Sequence, residues 1–188
     1  MIVVLNGPAG CGKDTIANRI LEVSSVFKKA EMKAPMWEIA KATLGSNFEQ
    51  FVELYNDRAT KEKPCDMLGG LSPRNFFIHI SENWCKPLFG DTYFGERMLQ
   101  TAISNKHHET ILSDGGFSVE LMPALDAGET IMLVRLHREG YTFDGDSRSY
   151  IHIEHKNCWS LDVKLEDGKI DEAVEGILDA YHTLLKAV

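Results

Sequence analysis

An α/β fold built on a parallel sheet is predicted by three observations in this chain of 188 residues. Short, nearly continuous apolar runs recur along it, as strands buried on both faces of a parallel sheet require. Stretches with apolar residues at helical spacing separate these runs, and strands alternating with helices indicate crossover connections. Between the first run and the first helical stretch stands Gly7-Pro8-Ala9-Gly10-Cys11-Gly12-Lys13-Asp14-Thr15, which reads G-x-x-x-x-G-K. Its glycines let the backbone turn its N–H groups inward as an anion nest, and a helix starting near Lys13 adds its positive end.

Taken in order, Ile2–Leu5 is the first predicted strand, followed by the glycine loop and a helix over Asp14–Val23. Phe27–Met32 is a weaker strand, since its alternation is imperfect and it carries Lys28 and Lys29. Helical spacing follows in Pro35–Leu44 and Phe48–Tyr55. Ser72-Pro73 starts another helix, with Ser as N-cap and Pro at the first helical position. Tyr93–Ile103 is helical, Thr110–Ser113 is a buried strand, and Val119–Leu125 is helical. Thr130–Val134 and the less pure Trp159–Leu165 complete the strands. Ile170, Ala173, Val174, Ile177, Leu178, Tyr181, Leu184 and Leu185 form one stripe of a last helix over Ile170–Leu185, which is core packing.

The length suits one domain with a substantial core. Hydrophobic content of 44% and charged content of 26% are those of an ordinary globular chain. No apolar run is long enough to span a bilayer and no basic leader precedes the first strand, so the expectation is a cytoplasmic protein without a membrane anchor. Cys11, Cys65, Cys85 and Cys158 are scattered, which fits a reducing compartment. A net charge of −8 argues against nucleic acid as a partner, yet leaves room for a local basic site for small phosphorylated molecules.

Ligands of parallel sheets bind beyond the carboxyl ends of the strands, so the residues that follow each strand are the functional candidates. Gly10, Cys11, Gly12, Lys13, Asp14 and Thr15 form the donor-phosphate loop, with the Lys13 ammonium reaching the outer phosphates of a nucleoside triphosphate. Asp14 stands where such loops carry Ser or Thr. It either helps to hold hydrated Mg²⁺ or favours the positive end of the helix. Asp114 follows a central strand and is either a Mg²⁺ carboxylate or the N-cap of the helix after Phe117. Arg135 and Arg138 follow the next strand, where they would clamp phosphates or pair with Asp144 or Asp146. The stretch 140–148 is either a mobile lid with Arg148 reaching in or a surface loop. Arg58, Lys61 and Arg74, with Lys63, form a second basic set suited to a phosphorylated acceptor or to solvent. The spacing of His152, His155 and Cys158 matches no common zinc site, and this cluster reads as non-metal.

On these residues the chain resembles the nucleoside monophosphate kinases, and among them the bacteriophage deoxynucleoside monophosphate kinases. The Gly-Lys-Asp-Thr ending of the loop is similar to that of the phage enzymes and of phosphomevalonate kinases. Lys61-Glu62, Leu71-Ser72-Pro73-Arg74 and Leu112-Ser113-Asp114-x-x-Phe117-x-x-Glu120 are further similarities, as is the Arg135/Arg138 pair before a lid. The resemblance covers residues 1 to about 150. It implies a P-loop kinase fold, with a five-stranded parallel sheet of order 2-3-1-4-5 flanked by helices. It also implies an acceptor-binding helical region at about 34–105 and a lid at about 138–152. The activity implied is transfer of the γ-phosphoryl of ATP, with Mg²⁺, to a (deoxy)nucleoside monophosphate. Lys13, Asp114, Arg135 and Arg138 would be catalytic, and Arg58, Lys61 and Arg74 would hold the acceptor. A phage origin would make the compartment the host cytoplasm, and a homodimer is left open. Two departures stand out: Gly116 replaces an Arg of the phage pattern, and Ile78 replaces a Gln. A P-loop kinase of a non-nucleotide metabolite, or a nucleotide-sensing module with little turnover, remains as a rival.

Overall fold

Ile2–Asn6 (β1) is the middle strand of a five-stranded parallel sheet, and all five of its residues are buried. The structure, a computed structural model, describes residues 1–105 and 107–187. Phe27–Ala30 (β2), Glu109–Leu112 (β3), Ile131–Arg138 (β4) and Cys158–Leu165 (β5) complete the sheet in the order β2-β3-β1-β4-β5. The expected five-stranded parallel sheet of order 2-3-1-4-5 is therefore present. The chain divides into two compact units, Met1–Met32 with Gly95–Val188, and Lys33–Phe94.

In the first unit, Lys13–Val23 (α1) and Ile170–Leu185 (α8) cover one sheet face, where Ile16, Ile20, Val174, Ile177 and Tyr181 pack on Val3, Leu5, Val134 and Leu136. Each fully buried aliphatic side chain of this kind stabilises the fold by about 1.5–3 kcal/mol. The other face packs Ile2, Val4, Leu112 and Leu133 against Met98 of Tyr93–Ser104 (α6) and Leu125 of Met122–Asp126 (α7). The helix expected over Val119–Leu125 is shorter, because a single 3₁₀ turn at Ser118–Glu120 comes before α7.

The edge strands explain the weaker sequence signals. Lys28 and Lys29 are exposed in the middle of β2, and charged edge strands resist pairing with other chains. β5 is the opposite edge, and only Leu165 of its residues is buried. A further difference from expectation is at β4, which does not end at Val134. It stays paired with β5 as far as Arg138 opposite Leu165, because Leu136 belongs to the core and keeps the apolar alternation going.

The second unit contains Ala34–Leu44 (α2), Phe48–Asn56 (α3), Pro73–Ile78 (α4) and Lys86–Phe89 (α5). Ser72 caps α4 as predicted, its hydroxyl accepting the Asn75 N–H at 3.2 Å. Between α4 and α5 the helix widens into a π-helical segment, His79–Cys85. The core of this unit is aromatic: Trp37 meets Phe77 edge-on at 4.6 Å and Tyr55 at 5.0 Å, with Phe51 against Phe77 at 5.3 Å.

Candidate functional site

The glycine loop leaves the buried end of β1 and is shaped by three different needs. Gly7 needs room: a Cβ there would lie 2.9 Å from both Cys11 Sγ and the Leu136 carbonyl oxygen. Gly10 and Gly12 need the left-handed backbone, at φ 78° and 119°. Gly12 sits at the N-cap of α1 and offers no side chain, so the first amides of the helix have no side-chain cap. Those amides and the helix dipole are what an anion meets. Asp14 and Thr15 on the first turn are exposed, whereas Cys11 is fully buried beneath the loop.

The Lys13 ammonium lies back over the loop and donates to the carbonyls of Gly7 at 2.6 Å and Pro8 at 2.7 Å. Burial pushes its pKa down, and the nearby Arg148 guanidinium adds to that fall against the opposing pull of Cys11, Asp14 and Asp146. A polyphosphate would supply the negative charge that relieves both cations.

The expected carboxylates stand at this edge. Asp14 Oδ1 accepts from Ser113 Oγ at 2.6 Å and lies 3.7 Å from Lys29 Nζ. Asp114 Oδ1 accepts the Met32 N–H at 3.0 Å, which ties the end of β3 to the end of β2. Asp114 thus caps Met32 instead of the helix after Phe117. The amides of Gly116 and Phe117 turn to the buried Glu120 carboxylate instead, at 3.4 and 3.3 Å. Among the described residues, no group of three or more His, Cys, Asp or Glu side chains could hold a metal ion unaided. Hard carboxylate oxygens beside a phosphate loop do fit Mg²⁺, which commonly takes one or two carboxylates and completes its shell with water and substrate phosphates.

Arg135 and Arg138 are not brought together. The extension of β4 puts them on opposite faces: Ile131 and Leu133 precede Arg135 in one core, Met132, Val134 and Leu136 precede Arg138 in the other. Arg135 binds Asp162 of β5 through Nε at 3.0 Å and Nη2 at 2.6 Å, and its Nη1 meets His152 Nδ1 at 2.7 Å. That guanidinium and His137 hold the Asp162 carboxyl below its ordinary range. Arg138 faces the phosphate loop. It donates to the Cys11 carbonyl at 3.5 Å, pairs with Asp167 and stacks over Tyr141 at 4.9 Å. The pairing partners are therefore Asp162 and Asp167, and Asp146 pairs with Arg148.

Beside the loop is a recess of about 190 Å³ walled by Cys11, Thr15, Ile16, Arg138, Leu165 and the turn 166–170. Apolar side chains and one flat guanidinium suit a planar base. A larger groove of about 370 Å³ between β5 and α8 contains no residue of the phosphate loop.

The basic set of the Lys33–Phe94 unit is partly assembled. Arg74 donates its backbone N–H to the Lys61 carbonyl at 3.1 Å, and its guanidinium lies 3.4 Å from Glu62. Lys61 Nζ sits 3.9 Å above the Tyr55 ring, and Arg58 is exposed. His152 is taken by Arg135, and His155 accepts the Asn157 N–H at 3.1 Å.

The sequence reading gave no site role to Asn6 or Lys29 and named Ser113 only within a motif, although Ser113 and Lys29 both reach Asp14. Asn6 closes a strand of apolar residues and is fully buried, a signal that was present in the sequence as a polar residue inside a core strand. Asp146 was named only as a partner for Arg135 or Arg138, whereas it pairs with Arg148 two residues away.

No protein-family model and no curated protein matches the chain. Among solved structures it is similar to a sugar kinase from Janibacter sp. at 12% identity, over 95% of this chain and 92% of that one, with a TM-score of 0.49. It is similar to dephospho-CoA kinase from Campylobacter jejuni at 9% identity, over 95% of both chains, with a TM-score of 0.46. A gluconokinase from Sinorhizobium meliloti gives 14% identity over 98% and 95%, with a TM-score of 0.42. Likeness at this level carries no argument about substrate, so the functional reading stands on the chain's own residues.

Proposed function

We propose that this protein is a P-loop phosphotransferase that moves the γ-phosphoryl of ATP to a small phosphorylated acceptor. The observation that supports it most is the glycine loop at the end of β1, with Lys13 and the uncapped start of α1 converging on one anion site. The bond from the γ-phosphorus to its bridging oxygen breaks and leaves ADP, while an acceptor oxygen bonds to that phosphorus. Such a reaction asks the protein for alignment and positive charge. Lys13 and the amides of residues 10–15 hold the donor phosphates, and Arg138 with the neighbouring recess holds the adenine. Asp14 and Asp114 are the residues that would hold Mg²⁺, which when bound neutralises phosphate charge. Arg135, engaged by Asp162 and His152, is assigned to holding β4, β5 and the end of the 138–152 loop in place.

The finer reading is a (deoxy)nucleoside monophosphate as acceptor, with Arg58, Lys61 and Arg74 on its phosphate. It rests on the resemblance of the Lys61-Glu62 and Ser72-Pro73-Arg74 segments. A phosphorylated metabolite without a base would use the same three cations, and it is the competing acceptor.

A panel of nucleoside monophosphates and phosphorylated sugars and acids, with ATP and Mg²⁺, decides the matter by ADP release. Turnover of one or a few nucleotides supports the finer reading, and turnover of a base-free phosphate replaces it. ATP binding with no turnover of any acceptor would overturn the phosphotransferase itself. Lys13→Ala is expected to lower kcat/KM by at least about a hundredfold with an unchanged far-UV spectrum, in line with the several kcal/mol that such electrostatic contacts contribute.

A further inference from the structure

The end of the 138–152 loop is pinned to the sheet. Asn6, buried at the end of β1, accepts the Ile151 N–H at 2.9 Å and donates to the Ser149 carbonyl at 3.4 Å. Tyr150 donates its hydroxyl to the Leu136 carbonyl at 3.0 Å, and Ile151 is in the core with Val4 and Leu133. Arg148 lies immediately before these anchors. Its stem crosses the turn after β3 at Gly116, where a Cβ would lie 2.6 Å from Arg148 Cδ and 3.2 Å from Cγ. Gly116 is not among the glycines with positive φ, so the position calls for space rather than an unusual backbone. Both oxygens of Asp146 orient the guanidinium, Oδ1 taking Nε at 2.9 Å and Oδ2 taking Nη2 at 2.5 Å.

We propose that Gly116 is a positioning residue whose bare backbone seats the Arg148 stem, presetting that guanidinium at the phosphate loop instead of leaving it to be delivered by loop closure. The inference rests on the phosphate-site reading above. It assigns motion in the 138–152 loop to the exposed part around Gly140–Gly145 and removes it from Arg148. Two neighbouring cations disfavour each other, and a polyphosphate between them satisfies both. A preset arginine therefore contributes to binding even a bare polyphosphate, which has no base and no acceptor to drive a closure.

Titration calorimetry with inorganic tripolyphosphate on wild type, Lys13→Ala, Arg148→Ala, Gly116→Ala and the Gly116→Ala/Arg148→Ala double variant tests this. Arg148→Ala is expected to weaken binding by roughly tenfold or more, as loss of a charge-assisted hydrogen bond does. Gly116→Ala should weaken it too, and should add nothing once Arg148 is gone. Wild-type affinity in Arg148→Ala, or an undiminished Gly116→Ala effect in the double variant, overturns the proposal. If Gly116→Ala alone fails to fold by thermal melting, the double variant, which lacks the clashing Arg148 stem, is expected to recover the fold, and a double variant that also fails overturns the seat. Unchanged binding in Lys13→Ala refutes the underlying phosphate site, whereas weak Lys13→Ala with unchanged Arg148→Ala removes only the seat.

Discussion

Gly7 and Gly12 look alike in the loop motif but serve different ends. Gly12 holds a backbone angle, while Gly7 gives up a side chain so that Cys11 Sγ and the Leu136 carbonyl can close around it. Gly7→Ala would push both contacts from 2.9 Å, and overpacking of this kind costs about 1–3 kcal/mol. Urea denaturation should therefore show a lower midpoint for Gly7→Ala, and an unchanged midpoint would mean the loop relaxes freely. The places of single residues were the most legible part of the chain: spacing alone put Lys13 at the start of α1, Asp114 just past β3 and Arg138 close after the core of β4. Contacts were least legible where a partner comes from far along the chain. Arg148 could be named from sequence, but neither Gly116 as its seat nor Asn6 as its anchor could, since both depend on contacts between distant segments.

Among the elements, every predicted strand is present, because apolar runs between turn signals identify buried strands well. Strand ends were less legible. β4 runs four residues beyond Val134, and that extension alone separates Arg135 from Arg138 by a sheet. Polar residues in an edge-facing stretch read as the start of a loop until Leu136 is known to enter the core. The π-helical segment at His79–Cys85 was invisible, as hydrophobic spacing does not distinguish it from an α-helix at that length. The helices of the Lys33–Phe94 unit depend on their aromatic cluster more than on propensity. Phe77 is 4% exposed and touches Trp37, Phe51 and Tyr55. Phe77→Ala should cost about 3–5 kcal/mol, measured by chemical denaturation; a cost below about 1 kcal/mol would show that the cluster collapses around the loss.

At the scale of the whole molecule, α8 closes one sheet face through Tyr181, whose ring tilts against Phe27 at 4.9 Å and whose hydroxyl reaches Glu109 at 3.4 Å. Burial and that carboxylate push the Tyr181 pKa up to about 12. A raised folded-state value contributes stability that is complete below the unfolded value near 10 and is lost as pH rises towards 12. Stability should thus fall between about pH 10 and 12, and Tyr181→Phe should flatten that fall. An identical alkaline limb in the variant would assign it to other groups. The sheet order was legible only through the resemblance, since no local signal says which strands become neighbours. The burial of Cys11 has a wider consequence. Its sulfur is sealed at 0% exposure beneath the backbone that would carry the phosphates. Any thiol reagent must then wait for the loop to part, so the labelling rate of that one atom measures the opening free energy of the loop, and the closed loop shields its own cysteine from oxidation.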